Sequence, residues 1–207
     1  MQIGLSAPFR KRCWQAIVTG KINNQASHLI LAERPNADAV RAMAEWVGSG
    51  DPDNVEARAA RQYWGALFDD FIRDDESDLR NALLNYGYAV MRAAIARALT
   101  AYGLLPAFGL HHCGSTNAFN LADDMIEPFR PFVDVLARAR AESRSKGEAM
   151  TIDDRRAMAG VLMGDCTWDD GVTTLLTATE LGAESLIRAM ESGSPALLRL
   201  PRLGPKR

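Results

Sequence analysis

Apolar residues recur with a helical period along most of this chain, and they predict a series of amphipathic helices. The first helix opens at Ser6, which can cap it, and Pro8, which suits a first helical turn. Its apolar stripe continues to about Glu33. Asn36 is a candidate cap for a second helix that extends to about Trp46.

The next two predicted helices follow turn-forming residues. A third helix begins at about Asn54, after an Asp-Pro-Asp turn, and extends to Leu67. Ser77 is a candidate cap for a fourth helix from Leu79 to Tyr102, which Gly103 can end in the left-handed conformation. The apolar face of this fourth helix is broad, which predicts a central position, and it comprises Leu83, Tyr86, Val90, Ile95 and Leu99.

Residues 104–119 have a different character, with two glycines, a proline and several polar residues but no helical period. This segment is therefore expected to form a structured loop. Asn120 can cap a fifth helix directly after it, and Pro128 and Pro131 should kink or interrupt that helix, because proline lacks the backbone donor.

The last third of the chain continues the helical pattern. Thr151 and Asp154 resemble a capping box ahead of a sixth helix, and a final helix should span roughly Val172 to Met190. Strand signals are almost absent, so the predicted fold class is all-α. We expect one helical domain over residues 1–193 and a Pro-, Leu- and Arg-rich tail over residues 194–207.

Length and composition agree with this organisation. A chain of 207 residues can bury one sizeable core, and no apolar run approaches the length that crosses a bilayer. The first residues lack the pattern of a secretory signal, which predicts a cytoplasmic protein. Three widely spaced cysteines without a Cys-x-x-Cys pair disfavour a disulfide scaffold or a zinc knuckle.

The net charge of −2 and the pI near 5.9 count against binding of nucleic acid by bulk positive charge. A local basic face can nevertheless coexist with an acidic total, and an enzyme that holds a metal ion needs carboxylates. Charge alone therefore leaves a metal-dependent enzyme acting on nucleic acid open.

The adjacent histidines His111 and His112 lie in the glycine-flanked loop shortly before Asp124 and Glu127, which are one helical turn apart. Imidazole nitrogen and carboxylate oxygens in this arrangement can bind one ion, and this mixture suits Mn²⁺ or Mg²⁺. The alternative is that Asp123 and Asp124 are ordinary acidic residues that the helix dipole favours near a helix N-terminus.

Glu56 and three nearby or following arginines form a second candidate group. Glu56 lies in the first turn of the third predicted helix, where glutamate is common at the surface. Arg58 and Arg61 follow on the same helix, and Arg92 lies on the fourth. These arginines can form surface ion pairs or line a track for phosphates.

Taken together and in order, these segments resemble the CRISPR-adaptation integrases, the first of the CRISPR-associated proteins, which insert captured DNA into a CRISPR array. The matching stretches are Asp53-Asn-Val-Glu-Ala-Arg-Ala-Ala60, Asn81-Ala-Leu-Leu-Asn-Tyr-Gly-Tyr88, Gly103-Leu-Leu-Pro-Ala-Phe-Gly-Leu-His-His112 and Asn120-Leu-Ala-Asp-Asp-Met-Ile-Glu-Pro-Phe-Arg-Pro131. The His-His pair and the Glu-Pro-Phe-Arg-Pro ending resemble the variant associated with type II systems.

The resemblance implies a metal-dependent DNA endonuclease and integrase that uses Mg²⁺ or Mn²⁺ in spacer acquisition, a step of antiviral defence. The implied catalytic metal ligands are Glu56, His112 and Glu127. The implied supporting residues are Asp124, Asn85, Tyr86, Tyr88 and His111. The implied DNA contacts are Arg58, Arg61, Arg92 and Arg130. The implied partners are DNA and the family's small ferredoxin-like companion subunit.

Members of this family normally begin with a β-rich domain that carries much of the dimer contact, whereas this chain starts at the helical domain. The homodimer of the full-length family is therefore in doubt here. Two alternatives to an active integrase stay open: an inactive module that binds DNA or partner subunits, and a transposon-type integrase of the same superfamily. Metal-dependent cleavage by the purified protein would exclude the inactive module. A CRISPR array beside the gene would distinguish the CRISPR-adaptation integrase from the transposon-type integrase.

Overall fold

The computed structural model describes residues 2–145 and 147–204, which pack around one hydrophobic core. The described residues form eight α-helices, namely α1 Ala7–Leu31, α2 Ala37–Met43, α3 Val55–Leu67, α4 Leu79–Ala101, α5 Asn120–Met125, α6 Arg130–Ala141, α7 Ile152–Ala159 and α8 Leu175–Ser192. They also form one antiparallel hairpin, β1 Asp165–Trp168 and β2 Gly171–Thr174. The predicted mostly helical fold is confirmed.

Helix α1 begins as the sequence predicts. The Ser6 hydroxyl accepts a hydrogen bond from the Phe9 backbone N–H at 3.3 Å, and Pro8 occupies the first turn. The helix ends at Leu31, close to the predicted boundary at Glu33. Helix α1 crosses the molecule and contacts α2, α3, α5 and α6, so its buried face meets both halves of the chain.

Asn36, which was predicted to cap α2, does not do so, and Asn54 before α3 behaves in the same way. Asn36 and Asn54 both adopt left-handed backbone conformations, and neither side chain bonds to the helix that follows. At the start of α3 the Asp51 carboxylate accepts from the Val55 and Glu56 backbone N–H groups at 2.9 and 3.0 Å. The left-handed region suits asparagine, which explains why it precedes a helix without capping it.

The predicted caps of α4 and α5 are also wrong. Asp78, not Ser77, caps α4 and accepts from the Arg80 backbone N–H at 2.8 Å. Asn120 is the first residue of α5, and its side-chain amide donates instead to the carbonyls of Ala107 and Gly114 in the preceding loop. Asn120 therefore fixes the loop rather than the helix end.

The chain after α5 follows the proline prediction. A short 3₁₀ segment, Glu127–Phe129, separates α5 from α6, so the helix is interrupted where Pro128 and Pro131 stand. The capping box at α7 is confirmed, because Thr151 and Asp154 exchange side-chain and backbone hydrogen bonds.

The predicted start of the last helix is wrong, because Val172 to Thr174 form strand β2 and α8 begins only at Leu175. β-Branched residues suit a strand, and Thr174 then caps α8 by accepting from the Thr177 backbone N–H at 3.2 Å. The tail packs back onto the molecule, where the Asn24 side chain bonds to the Pro201 carbonyl. Residues 205–207 of the predicted tail lie outside the described residues.

Helix α4 is central, as predicted, and packs against α5, α6, α7 and α8. Its buried face differs from the prediction, since Tyr86 and Val90 are only partly buried while Tyr88 and Met91 are buried. Gly103 follows α4 with φ of 78°, the left-handed conformation predicted for a helix terminator. Within the described part of the chain, no helix is long and apolar enough to span a membrane.

Candidate active site

Two glutamates distant in sequence meet at one lysine in a cleft between α1, α3 and the α5–α6 junction. Glu56 lies in the first turn of α3, Glu127 begins the 3₁₀ segment after α5, and Lys21 lies in the middle of α1. The Lys21 Nζ atom is 2.5 Å from Glu56 Oε1 and 2.5 Å from Glu127 Oε2. The two carboxylates are therefore close enough to share a single cation.

Burial makes this charge cluster strong. The side chains of Lys21 and Glu127 are 9% and 7% exposed, whereas that of Glu56 is 27% exposed. Burial disfavours the Lys21 ammonium, but attraction to Glu127 and Glu56 outweighs that cost and raises the pKa of Lys21. Burial likewise opposes ionisation of Glu127, but Lys21 and Arg130 hold the pKa of this carboxyl below its ordinary value. Lys21 and Glu127 are therefore both ionised at neutral pH.

Arg130 and Tyr88 form the adjoining wall of the cleft. Arg130 Nε donates to Glu127 Oε1 at 2.8 Å, and its guanidinium lies 4.5 Å from the centre of the Tyr88 ring. Arg73 lies 5.6 Å from the same ring centre and donates to Asn85 Oδ1 at 2.7 Å. Two guanidinium groups thus lie near one aromatic ring beside the carboxylates, in a cavity of about 190 Å³.

A buried acid lies behind this wall. Asp134 on α6 accepts from the Tyr63 hydroxyl at 2.8 Å and from the Tyr88 hydroxyl, and His28 Nδ1 lies 2.7 Å from the Tyr63 oxygen. Burial raises the pKa of Asp134 to about 6, although the tyrosine hydrogen bonds and the Arg130 charge oppose the shift. Burial and the charge of Arg138 lower the pKa of His28 to about 3, so this histidine is neutral. The network ties α1, α3, α4 and α6 together at the cleft.

The shifted pKa of Asp134 predicts a pH dependence of stability. Because its pKa is about 6 in the folded protein and 3.8 ordinarily, the folded state retains the proton in this window, so stability should rise as pH falls from 7. The wild type should gain about 2 kcal/mol by pH 4 relative to Asp134→Asn, which has no proton to bind. Urea unfolding of both proteins at several pH values measures this gap, and a gap independent of pH would contradict the prediction.

The histidine loop is built around a different carboxylate. Asp124, fully buried on α5, accepts from the backbone N–H groups of Leu110, His111 and His112 at 2.5, 3.0 and 3.0 Å. The same carboxylate lies 2.7 Å from His112 Nδ1. This hydrogen bond, partly opposed by burial, raises the pKa of His112. Asp124 is therefore committed to shaping the loop and orienting the imidazole.

Trp14 on α1 supports both histidines. The His111 ring stacks on Trp14 with centres 4.2 Å apart and planes 4° apart, and the His112 ring meets Trp14 edge-on at 5.7 Å. The tryptophan is buried. His111 is accordingly fixed by packing, whereas His112 is aimed by Asp124.

The oxygen and nitrogen donors of Glu56, Glu127 and His112 are of types that bind a hard divalent ion, but only the two glutamates lie close together. Glu56 and Glu127 converge, and the buried Glu127 Oε2 has the Lys21 charge beside it but no hydrogen bond with proper angles. Asp124 at Nδ1 leaves His112 Nε2 as the ring nitrogen for a ligand, an arrangement common around metal-binding histidines. However, no three His, Cys, Asp or Glu side chains within residues 2–145 and 147–204 form a ready metal cluster, and His112 does not line the glutamate cleft.

The four arginines predicted to contact DNA have different surroundings. Arg58 and Arg61 are exposed on α3 and are not among the residues that line the glutamate cleft, and Arg58 lies 5.7 Å from the Trp46 ring centre. Arg92 instead donates two hydrogen bonds to the Asp123 carboxylate on α5, at 2.6 and 2.8 Å, and a third to Asn117 Oδ1 in the preceding loop at 3.1 Å. Arg130 lies in the cleft. Among the predicted supporting residues, Tyr88 reaches the cleft directly, Asn85 contacts it through Arg73, and the half-buried Tyr86 is not among the cleft residues.

No site role was predicted from the sequence for several residues that line the cleft or lie behind it, namely Lys21, Tyr63, Arg73 and Asp134. A signal for the first of these was present on α1. Lys21, Asn24, Gln25 and His28 interrupt the apolar stripe at positions that the helical period assigns to the core, and all four are buried. Polar residues on a core-facing stripe indicate a built polar site.

Sequence comparison links the chain to proteins of one family. Residues 2–165 match the family model described as CRISPR associated protein Cas1. A CRISPR-associated endonuclease Cas1 of Neisseria meningitidis serogroup C is 49% identical over 138 residues, which are 65% of this chain and 45% of that protein. A CRISPR-associated endonuclease Cas1 of Pyrobaculum aerophilum is 32% identical over 130 residues, 60% of this chain and 44% of that protein. The chain thus spans about half the length of these curated relatives.

Solved structures share the fold at low sequence identity. A casposase bound to an integration product superposes with a TM-score of 0.70 at 19% identity, over 89% of this chain and 65% of that chain. A partial Cas6-RT-Cas1–Cas2 complex superposes with a TM-score of 0.78 at 19% identity, over 96% of this chain and 71% of that chain. The helical architecture therefore recurs in both assemblies.

Proposed function

The chain belongs to the Cas1 family of CRISPR-associated proteins, and from this premise we propose that it is a divalent-metal-dependent DNA endonuclease and integrase of CRISPR spacer acquisition. The observation that carries the proposal is the convergence of Glu56 and Glu127 on one cation position. These residues are also two of the three ligand positions that the family resemblance implies. The chain is 49% identical to the Neisseria meningitidis protein and 32% identical to the Pyrobaculum aerophilum protein, and the higher of these identities supports the type II variant.

In this proposal Glu56 and Glu127 would hold a Mg²⁺ or Mn²⁺ ion, and His112, which lies outside the glutamate cleft and whose Nδ1 atom Asp124 engages, would join them as the third ligand. When bound, the ion supplies positive charge that stabilises the developing charge on the scissile phosphate. The carboxylate oxygens suit a hard ion, and a neutral imidazole adds no negative charge near the phosphate. Attack by a DNA 3′-hydroxyl then needs no covalent intermediate with the protein.

Residues around the carboxylates would position the DNA. Arg130 and Arg73 present guanidinium groups in the cleft, and Arg58 and Arg61 add exposed positive charge elsewhere on α3. Arg92 is committed to Asp123, so we propose for it a role in holding the loop that carries His112. Binding through these arginines should weaken with salt and depend little on sequence.

The proposed partners are DNA and the small Cas2 subunit, and the proposed compartment is the cytoplasm. Structural neighbours include a casposase with an integration product and assemblies that contain Cas1 and Cas2. Because these proteins are only 18–19% identical to this chain, the superpositions show a shared fold and do not show shared partners. Binding of Cas2 and of DNA by this chain are therefore proposals in their own right.

The test is a cleavage and strand-joining assay of the purified chain on branched DNA with a free 3′-hydroxyl. Products should require Mn²⁺ or Mg²⁺ and disappear with EDTA. Glu56→Gln and Glu127→Gln should each lower the rate by about a hundredfold, because each removes a charged ligand while keeping its size. Glu180→Gln on α8, which makes the same chemical change outside the cleft, serves as the matched control.

Two results would contradict the enzyme proposal. Metal-dependent products that persist in both glutamate variants would place the chemistry elsewhere. A DNA complex that forms without any product would favour the second candidate, a binding module without turnover. One feature supports that candidate, since the Lys21 ammonium fills the position between the two carboxylates.

A further inference from the structure

We propose that Lys21 is a built-in counter-cation that occupies the position of the divalent ion and must be displaced before the ion can bind between Glu56 and Glu127. The inference rests on the proposed metal site and adds to it a residue that sets the affinity and order of metal binding. Lys21 is thus a positioning residue, and it keeps the cleft intact without the ion.

The geometry makes Lys21 and a divalent ion compete for one place. The Nζ atom lies 2.5 Å from an oxygen of each glutamate, so it stands where an ion shared by those oxygens would stand. The ammonium is also the nearest charge to Glu127 Oε2, which is buried and lacks a well-aligned hydrogen bond. Simultaneous occupation would place an ammonium against a doubly charged ion in a cleft that is largely screened from water.

The charges of the cluster point the same way. Lys21 and Arg130 together balance Glu56 and Glu127, so the cluster is neutral as it stands. Adding a divalent ion without moving Lys21 would leave two excess positive charges at close range, which burial makes unfavourable. Moving the ammonium away from the two oxygens relieves this repulsion and frees both oxygens for the ion.

The cleft contains a place for the displaced ammonium. Gln25 lies one helical turn after Lys21 on α1 and lines the same cavity. Its side chain is 2% exposed, and its Oε1 atom is buried without a hydrogen-bond donor among the described residues. A flexible lysine stem can swing its ammonium from the carboxylates towards this acceptor. In this proposal the Gln25 Oε1 atom accepts a hydrogen bond from the displaced Lys21 ammonium, which explains why this oxygen lacks a donor in the metal-free protein.

Direct titration of Mn²⁺ into the metal-free protein tests the proposal by calorimetry, without any assay of activity. Lys21→Met keeps the length and apolar stem of the side chain but removes the competing charge. It should bind Mn²⁺ at least about tenfold more tightly than the wild type, a conservative figure for removing one nearby charge from a buried site. Lys11→Met makes the same change at an exposed position of α1 and should match the wild type.

Thermal unfolding supplies a second measurement on the same variants. Without metal, Lys21→Met leaves Glu127 without its ammonium partner and should melt below the wild type. Saturating Mn²⁺ should restore the variant and raise its melting temperature by more than it raises that of the wild type. A metal-induced shift in the variant equal to or smaller than that of the wild type overturns the proposal.

If Lys21→Met does not fold, acylation of the wild-type lysines followed by mass spectrometry keeps the question decidable. Lys21 should react slowly in the metal-free protein and faster with Mn²⁺, since the ion drives its ammonium out of the ion pair. Protection of Lys21 by the ion, or an unchanged rate, overturns the proposal.

The calorimetric results separate this inference from the proposed function. Mn²⁺ binding by the wild type with equal or weaker binding by Lys21→Met overturns the counter-cation role and leaves the metal site in place. Absence of Mn²⁺ binding in both proteins overturns the metal site itself and the inference with it. Tighter binding by Lys21→Met that Glu127→Gln abolishes supports both.

Discussion

An Asp124→Ala variant should be less stable than the wild type by about 4 kcal/mol, because it leaves the buried Leu110 N–H and the partly buried N–H groups of His111 and His112 without their acceptor. The Asp124 carboxylate accepts from the backbone N–H groups of Leu110, His111 and His112, and it also holds the His112 ring. An alanine removes all of these bonds at a fully buried position. Urea unfolding measures the loss.

The matched control is Asp153→Ala on α7, where the carboxylate is exposed and pairs only with a neighbouring arginine among the described contacts. This control should change stability by less than about 0.5 kcal/mol. Asp124→Asn is a finer probe, since its amide can accept from one side but presents a donor to N–H groups on the other. A loss below about 1 kcal/mol for Asp124→Ala would show that the loop does not depend on this carboxylate.

Asp124 also illustrates which parts of the site the sequence could predict. The spacing of the histidines, Asp124 and Glu127 indicated polar groups near one helix start, but it left several ligand combinations open. The family resemblance singled out Glu56, His112 and Glu127, and the structure brings the two glutamates together. The different roles of the two carboxylates could be assigned only from the three-dimensional contacts. Asp124 accepts from backbone N–H groups of the histidine loop, whereas Glu127 pairs with Lys21.

Lys21 could not be assigned from the sequence for a related reason. A lone lysine within an apolar stripe signals a buried charge, but its partners lie 35 positions away in Glu56 and much further in Glu127. Sequence patterns describe neighbours one or two helical turns apart, whereas this ion pair depends on how α1 packs against α3 and the α5–α6 junction. The family resemblance implies that Glu56 and Glu127 are metal ligands, but it does not predict that the Lys21 ammonium lies between them.

Local competition explains the errors in the fold prediction. Asparagine and serine before a helix are good caps on average, yet here Asn36 adopts a left-handed backbone conformation without capping α2, and Asp78 rather than Ser77 caps α4. The short strand β2 continues directly into α8. A helix predicted from the spacing of apolar residues therefore extends back across this boundary and includes the strand. Long helices such as α1 and α4 were predictable because many residues contribute to one period.

Replacing Gly87 with valine should destabilise the protein by about 4 kcal/mol, because the site lies at a close approach between helices in a densely packed core. Gly87 is buried on α4, and any Cβ atom there would overlap Cγ1 of Val133 on α6 and lie 2.6 Å from Cε of Met158 on α7. Met158 has a flexible end, but Val133 is fully buried and has no room to move. Helices α4 and α6 must therefore separate.

The consequence should reach the candidate active site, because α4 and α6 carry the neighbouring residues Tyr88 and Asp134, which are joined by a hydrogen bond. Separation of the helices breaks that bond and loosens the wall against which Arg130 lies. Gly65→Val is the matched control, since Gly65 is exposed on α3 with nothing within 4 Å of an added Cβ. If both variants unfold at the same urea concentration, the close approach does not limit stability, and α4 can shift without disturbing the cleft.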